Sequence, residues 1–268
     1  MSVYVIAELG SNHDGSVDKM LEGVQVAARC GANALKLQWT SDAVKLAHRR
    51  GKAYEDGYVH DYRLGLEWTK GWHLVLSDAC RSENIDYMCT VYLPEDIEVV
   101  APHVSKLKVS SFEAMDEAFV RAHLKHDKEV LVSTGMVDDW RALRDVRLKL
   151  LQCTSSYPAE LEEMNLRVLH ERHLRETENV FHGLSDHSAP THVFMGGLAT
   201  AAGAQYIERH IRLPKTFTTN KDYPHAQTET QFRQYVQWIR YAERALGDGV
   251  KKIEPGEKPM LAYRAVPS

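Results

Sequence analysis

Two histidines stand where a pair of imidazoles could share one ion. His187 lies in GLSDHS (Gly183–Ser188) and His210 closes ERH (Glu208–His210). Each sits at the end of a short β-rich run, and the two runs follow one another in the chain. Neighbouring strands lie about 4.8 Å apart. Two rings at equal height on them could ligate one divalent cation, with carboxylate or water completing the shell. A local hydrogen bond for each ring is the plain alternative. The other twelve of the 14 histidines read as surface or structural residues.

A second group of residues suits an anion. Lys36 and Lys108 end two further β-rich runs, and STGM (Ser133–Met136) reads as a strand end that opens a helix. Hydroxyls and freed backbone N–H groups at such a place can hold a phosphate. A buried lysine could instead form a Schiff base or a structural ion pair. Two lysines beside a hydroxyl-rich turn favour the anion. No GxGxxG follows the first run, so a dinucleotide fingerprint is missing.

These residues need a scaffold that gathers strand ends. Eight β-rich runs alternate with helical stretches: Val3–Leu9, Ala34–Gln38, Ile85–Val91, Lys106–Ser111, Glu129–Thr134, Leu148–Thr154, Val180–Ser185 and Ala204–Ile211. They are nearly continuous apolar runs, as expected of parallel strands buried on both faces. Helical periodicity marks Val17 to Ala28, with Ser16 as N-cap and Gly31 just past the end, and Phe232 to Leu246, with Gly247 as the stop. The alternation predicts one helical stretch per gap and a single α/β domain, a (β/α)8 TIM barrel spanning residues 1–268; an open doubly wound sheet is the rival. Every run ends in an ionisable or hydroxyl side chain: Glu8, Lys36 and Gln38, Thr90, Lys108 with Ser111 and Glu113, Ser133 and Thr134, Thr154 with Ser155 and Tyr157, Ser185 with Asp186 and His187, Glu208 and His210. A barrel would bring all of them to one mouth. The gap from Thr40 to Asn84 is too long for one connection. It holds a predicted helix from about Gly71 to Arg81 and a segment with Tyr54, Tyr58, His60, Tyr62, Arg63 and Trp68. Either that segment, or a second copy of the chain, covers the acceptor site, or the segment is a solvated surface loop.

Composition narrows the class. The 268 residues carry 37 acidic and 33 basic side chains, for a net charge of −4, and 44% are hydrophobic. That balance argues against a sequence-independent nucleic-acid binder. No run approaches the roughly 20 apolar residues of a membrane span, and the start MSVYVIAELG has no signal-peptide pattern. Cys30, Cys80, Cys89 and Cys153 show no CxxC spacing and read as reduced thiols. A cytoplasmic protein without nucleic-acid or membrane partners is expected.

Seven motifs in order carry a resemblance: AELGSNHDG (Ala7–Gly15), KLQ (Lys36–Gln38), KVSSFE (Lys108–Glu113), STGM, QCTSSYP (Gln152–Pro158), GLSDHS and ERH. Together they resemble the sialic acid synthase family, comprising N-acetylneuraminate synthase and its legionaminate, pseudaminate and spore-coat polysaccharide relatives. The resemblance covers essentially the whole chain. It implies a (β/α)8 barrel that condenses phosphoenolpyruvate (PEP) with an aldose, giving a 2-keto-3-deoxy sugar acid and phosphate, with Mn2+ or Mg2+. It implies His187 and His210 as metal ligands, and Lys36, Thr90, Lys108, Ser111, Ser133, Thr134 and Ser185 around PEP. Glu113 would be the proton-transfer group, Lys108 a catalytic cation, and Glu8 the organiser of water or sugar near the metal. Gln38, Ser155, Tyr157 and Asp222 match sugar-contacting positions.

The chain also departs from the family pattern. It stops at about the point where a C-terminal antifreeze-like domain usually begins, so that domain is expected to be missing and a homodimer is left open. In KDYPHA (Lys221–Ala226), Tyr223 replaces the usual His and Ala226 the usual Ser; Ser155 stands where some members have Asn, and CTVYLP (Cys89–Pro94) where STPF is more common. The PEP and metal ends are kept and the acceptor end is altered. A metal-dependent aldolase or lyase acting on a keto acid without PEP, and a non-catalytic barrel subunit, are the alternative functions.

Overall fold

The computed structural model describes residues 2–51, 56–139, 143, 145, 147–170 and 181–265. Eight strands, β1 (Tyr4–Gly10), β2 (Ala34–Trp39), β3 (Asp86–Val91), β4 (Leu107–Val109), β5 (Val130–Ser133), β6 (Leu148–Cys153), β7 (Phe181–Asp186) and β8 (Tyr206–His210), form a closed barrel in chain order. Every pairing is parallel, and β1 closes on β8 with Glu8 opposite His210. The strands expected from sequence are all present, each ending within two residues of its expected place; Val180, the expected start of β7, lies outside the described residues. The largest difference is at β4, which ends at Val109, so Ser111 and Glu113 belong to the turn beyond it.

Strand side chains alternate between two faces. One set, including Val5, Ala7, Leu35, Leu37, Val132 and Ile207, packs outward with the helices in the main core. The other set points into the barrel. Ile6, Ala34, Met88, Leu131 and Leu151 form a separate buried cluster there. Two residues further along these strands come Glu8, Lys36, Thr90, Ser133 and Cys153. Each strand is therefore apolar where the barrel is filled and polar where it opens. Burying each aliphatic side chain contributes about 1.5–3 kcal/mol, which offsets the cost of the buried charges above.

The helices hold the strands in place. In α1 (Val17–Arg29) the Lys19 amide donates to the N-cap Ser16 hydroxyl at 3.4 Å, and Gly31 follows the helix at φ +83°. α9 (Glu229–Leu246) starts with a Thr228–Gln231 capping box and buries Phe232, Tyr235, Val236 and Ile239. Leu246 is exposed, so the buried face ends a turn earlier than its periodicity suggests.

The expectation of one helix per gap needs two corrections. Between β2 and β3 lie three helices, α2 (Ala43–Arg49), α3 (Asp56–Gly65) and α4 (Trp72–Ser82). α2 and α3 enclose a small core of their own, with Leu46, Tyr62 and Leu66 against Tyr92 and Leu93; Tyr54 lies outside the described residues. That insertion is packed structure and not a solvated loop. Between β5 and β6 no α-helix occurs among the described residues, and residues 135–136 form a turn with Met136 at φ +62°. STGM therefore does not open a helix there. The remaining gaps hold α5 (Pro94–Val100), α6 (Glu117–His123), α7 (Arg167–His170) and α8 (Met195–Ala201). All four cysteines are buried and unpaired. No described helix is long and apolar enough to cross a membrane.

Candidate active site

A cavity of about 980 Å³ opens at the C-terminal ends of the strands. Lys36, Thr90, Lys108, Ser133, Ser185, His187, Glu208 and His210 line it, from β2, β3, β4, β5, β7 and β8. Parallel closure brings these strand ends to one rim, because inward positions of neighbouring strands are in register. Asp186 pairs with Arg209, which sets His187 level with His210.

The floor of the cavity is a charge network. Lys36 Nζ lies 2.8 Å from Glu8 Oε2 and 3.5 Å from Glu208 Oε1, and it donates to Thr90 Oγ1 at 2.9 Å. Lys108 Nζ donates to Ser133 Oγ at 2.7 Å and to the Val109 carbonyl at 2.9 Å. Ser185 Oγ donates to Glu208 Oε1 at 3.3 Å. Burial works against the charge on Lys36, but the Glu208 and Glu8 carboxylates outweigh it and hold its pKa above the ordinary lysine value. Burial dominates at Lys108 and lowers its pKa. Burial also pushes Glu8 up to about 7, against the pull of Lys36. Glu208 remains below the ordinary value because Lys108, Lys36 and His187 together overcome its burial. The Lys36 and Lys108 amines therefore meet two carboxylates whose pKa values are pushed in opposite directions, a charge balance that an incoming anion would alter.

The other side of the cavity is rich in imidazole. The His187 and His210 ring centroids are 5.6 Å apart. His187 Nδ1 lies 2.8 Å from the Thr154 carbonyl. Nδ1 must carry the proton to make that bond, which leaves a lone pair on Nε2. His210 is buried and its Nδ1 has no hydrogen-bond partner among the described residues. Burial, with His225 and His187 nearby, holds His210 well below the ordinary histidine pKa, so it is neutral. Burial opposes charge on His187, but Cys153 and the Thr154 carbonyl outweigh it and raise its pKa above the ordinary histidine value; His210, kept neutral, is the ring whose spare lone pair suits a divalent cation. Gly10 passes close by at φ +54°, where an added Cβ would lie 2.6 Å from Asp222 Oδ2 and 3.3 Å from the His210 ring.

The remaining residues take varied places. Glu8 is wholly buried beneath the lining, where Gln38 Nε2 donates to it at 2.8 Å. Gln38 lines the cavity and accepts from Tyr92 Oη at 2.7 Å. Thr134 faces away, donating to the Leu151 carbonyl at 2.9 Å. Ser111 lines the cavity; Ser155 does not, but its hydroxyl lies 2.8 Å from that of Ser111. Tyr157 places its ring 4.3 Å from His187. Asp222 lines the cavity and accepts from the Ser11 amide at 2.8 Å and the Ser11 hydroxyl at 2.7 Å. Glu113 is held by Arg50 at 2.8 Å and by Ser110 Oγ. A carboxylate so anchored is a positioning group more readily than a proton carrier.

Tyr58 and Tyr62 of the β2–β3 insertion line the cavity, as the covering reading of that segment expected, and Glu208, expected at the mouth, joins the floor network. Sequence reasoning missed Arg49, Arg50 and Lys221, which also line the cavity. His225, read as surface or structural, lies inside with its ring 4.6 Å from His210. The Asp222–His225 spacing in the loop after the last strand was a usable signal for it.

A closed parallel barrel with buried lysines and imidazoles on its C-terminal rim defines a (β/α)8 protein with a charged, imidazole-rich cavity. The chain belongs to the NeuB family, whose model matches residues 23–251. It is 33% identical to pseudaminic acid synthase of Campylobacter jejuni, over 96% of this chain and 78% of that protein. It is 29% identical to N,N'-diacetyllegionaminic acid synthase of Legionella pneumophila, over 98% and 78%. Among solved structures, the N-acetylneuraminic acid (sialic acid) synthetase of Leptospira borgpetersenii superposes with a TM-score of 0.83 at 24% identity, covering 98% of this chain and 92% of the other.

Proposed function

We propose that the chain condenses PEP with an aldose, giving a 2-keto-3-deoxy sugar acid and inorganic phosphate. The observation that supports this reading best is the convergence of Lys36 and Lys108, with Thr90, Ser133 and Ser185, on the cavity that also holds His187 and His210. The lysines match a phosphate dianion, and the hydroxyls donate to its oxygens. Ser111, next to the Lys108 turn, orients the PEP carboxylate. Gln38, Tyr157 and Asp222 face the space left for the sugar.

His187 and His210 would hold a divalent metal, which when bound supplies Lewis-acid polarisation of the aldehyde oxygen. The protein's own part is positioning. Holding C3 of the enol phosphate against the sugar aldehyde turns an encounter into a near-attack arrangement. The C3–C1 bond forms as the carbonyl π pair moves to oxygen, which takes up a proton. Water adds to C2 and loses a proton, the C2–O bond to phosphate breaks, and the keto group and inorganic phosphate result. Glu8, buried beneath the lining, holds the Lys36 ammonium at 2.8 Å and so keeps it charged and aimed at the phosphate. Arg50, Tyr62 and Lys221 wall the outer part of the cavity and screen it from water.

The test is phosphate release from PEP on adding a panel of aldoses with Mn2+ or Mg2+. Release that depends on both aldose and metal, with a product of the summed mass less phosphate, supports the reading. No release with any aldose overturns it.

A further inference from the structure

We infer that His225 is a direct ligand of the divalent metal, in a two-histidine, one-carboxylate set with His210 and Asp222. This rests on the metal site of the proposed function, with which the set shares His210, and adds His225 and Asp222 as ligands.

His210, Asp222 and His225 are all buried, and one donor atom from each falls within 4.8 Å of the others. Neither ring nitrogen of His225 has a hydrogen-bond partner among the described residues, although the residue is only 2% exposed. A buried imidazole with both nitrogens idle is costly unless something occupies one of them. His210 Nδ1 is idle in the same place. Two idle imidazoles beside a carboxylate, with open positions left over, match the donor set that holds first-row divalent ions.

The loop is built to present His225. Gln227 donates its amide to the His210 carbonyl at 2.9 Å, and the Arg212 amide returns a bond to the Gln227 carbonyl at 2.9 Å. Arg209, wholly buried and paired with Asp186 at 3.1 Å, donates to the His225 carbonyl at 3.3 Å. The Tyr157 ring centroid lies 4.9 Å from that of His225. Ser11 donates twice to Oδ2 of Asp222, which fixes that carboxylate without using its second oxygen. Imidazole favours zinc, cobalt and iron over magnesium, so the added ring shifts the metal preference in that direction.

The experiment titrates chelator-treated protein with Zn2+ alone, and separately with Mn2+ alone, by calorimetry without PEP or aldose. The His225→Gln variant is expected to lose about 100-fold or more in Zn2+ affinity, while its metal-free unfolding midpoint matches wild type. Zn2+ affinity within about 3-fold of wild type overturns the inference. In wild-type protein, nitrogen NMR of the His225 ring supplies a check that needs no variant: a shift on adding Zn2+ supports ligation, and unmoved signals overturn it. Both readouts stand apart from catalysis, so failure of the PEP reading leaves them unaffected.

Discussion

The ammonium of Lys36 lies 2.8 Å from the carboxylate of Glu8, with only 3% and 0% of the two side chains exposed. Such a pair is expensive to bury and more expensive to break. Its place at the floor of a cavity, beside Glu208, makes it a socket whose charge state an anion can complete.

Replacing Lys36 by Met should therefore lower kcat/KM for PEP by about 10²-fold or more, the scale seen when one charge-stabilising donor is lost. Lys108→Met should do the same through Ser133. Steady-state kinetics with PEP varied would measure both. Full activity in either variant would favour a metal-dependent aldolase that needs no phosphate grip.

Arg50 ties the β2–β3 insertion to Glu113, and its guanidinium also stacks 4.7 Å from the Tyr92 ring and 4.8 Å from that of Phe112. Arg50→Ala should loosen the outer wall and raise KM for the aldose roughly 10-fold, about 1.4 kcal/mol of binding, with little change for PEP. Equal effects on both substrates would count against an acceptor role for the insertion.

Gly10 carries its φ of +54° where a methyl group would meet Asp222 and His210. Gly10→Ala should cost about 1–2 kcal/mol in backbone strain and weaken divalent-metal binding. Urea unfolding and calorimetric metal titration read the two effects separately. Intact metal affinity would show that this loop can move aside without disturbing the cluster.

Several histidines are buried in neutral form. Desolvation takes His73 down to about 3, with His103 adding to the effect, and takes His123 and His13 down to about 4. In the unfolded chain these rings protonate near 6.5, while the folded protein resists protonation until lower pH. Their contribution to stability is thus full above about 6.5 and is lost as pH falls towards 4. Glu8 acts oppositely: its raised pKa favours the folded state at low pH, and that benefit fades as pH rises through about 7. With several rings against one carboxyl, urea unfolding should show lower stability at pH 5 than at pH 7.5. His73→Gln should flatten that dependence.

The barrel was readable because its code is local. Each β-rich run is bounded by polar or helical sequence, and the period-2 switch from Ile6 to Glu8, or from Leu131 to Ser133, shows on a single strand. The same alternation marked Lys36, Lys108, His187 and His210 as rim residues. STGM misled, since a strand end followed by Gly looks like a helix start, whereas Gly135 enters a turn so tight that a Cβ there would lie 2.1 Å from Ser155 Oγ. The β2–β3 insertion looked like loop because α2 and α3 are short and bury residues chiefly against each other and Tyr92.

The sequence by itself determined the architecture and the chemical types present at the rim, since strand periodicity and the order of eight runs constrain where each side chain points. Only the tertiary structure decided who partners whom. Closure of β1 on β8 brings Glu8, already paired with Lys36 of β2, opposite His210, and the loop after β8 carries His225 into the same space. Such meetings depend on distances across the barrel between residues up to two hundred positions apart, and no local pattern encodes a separation that only ring closure sets.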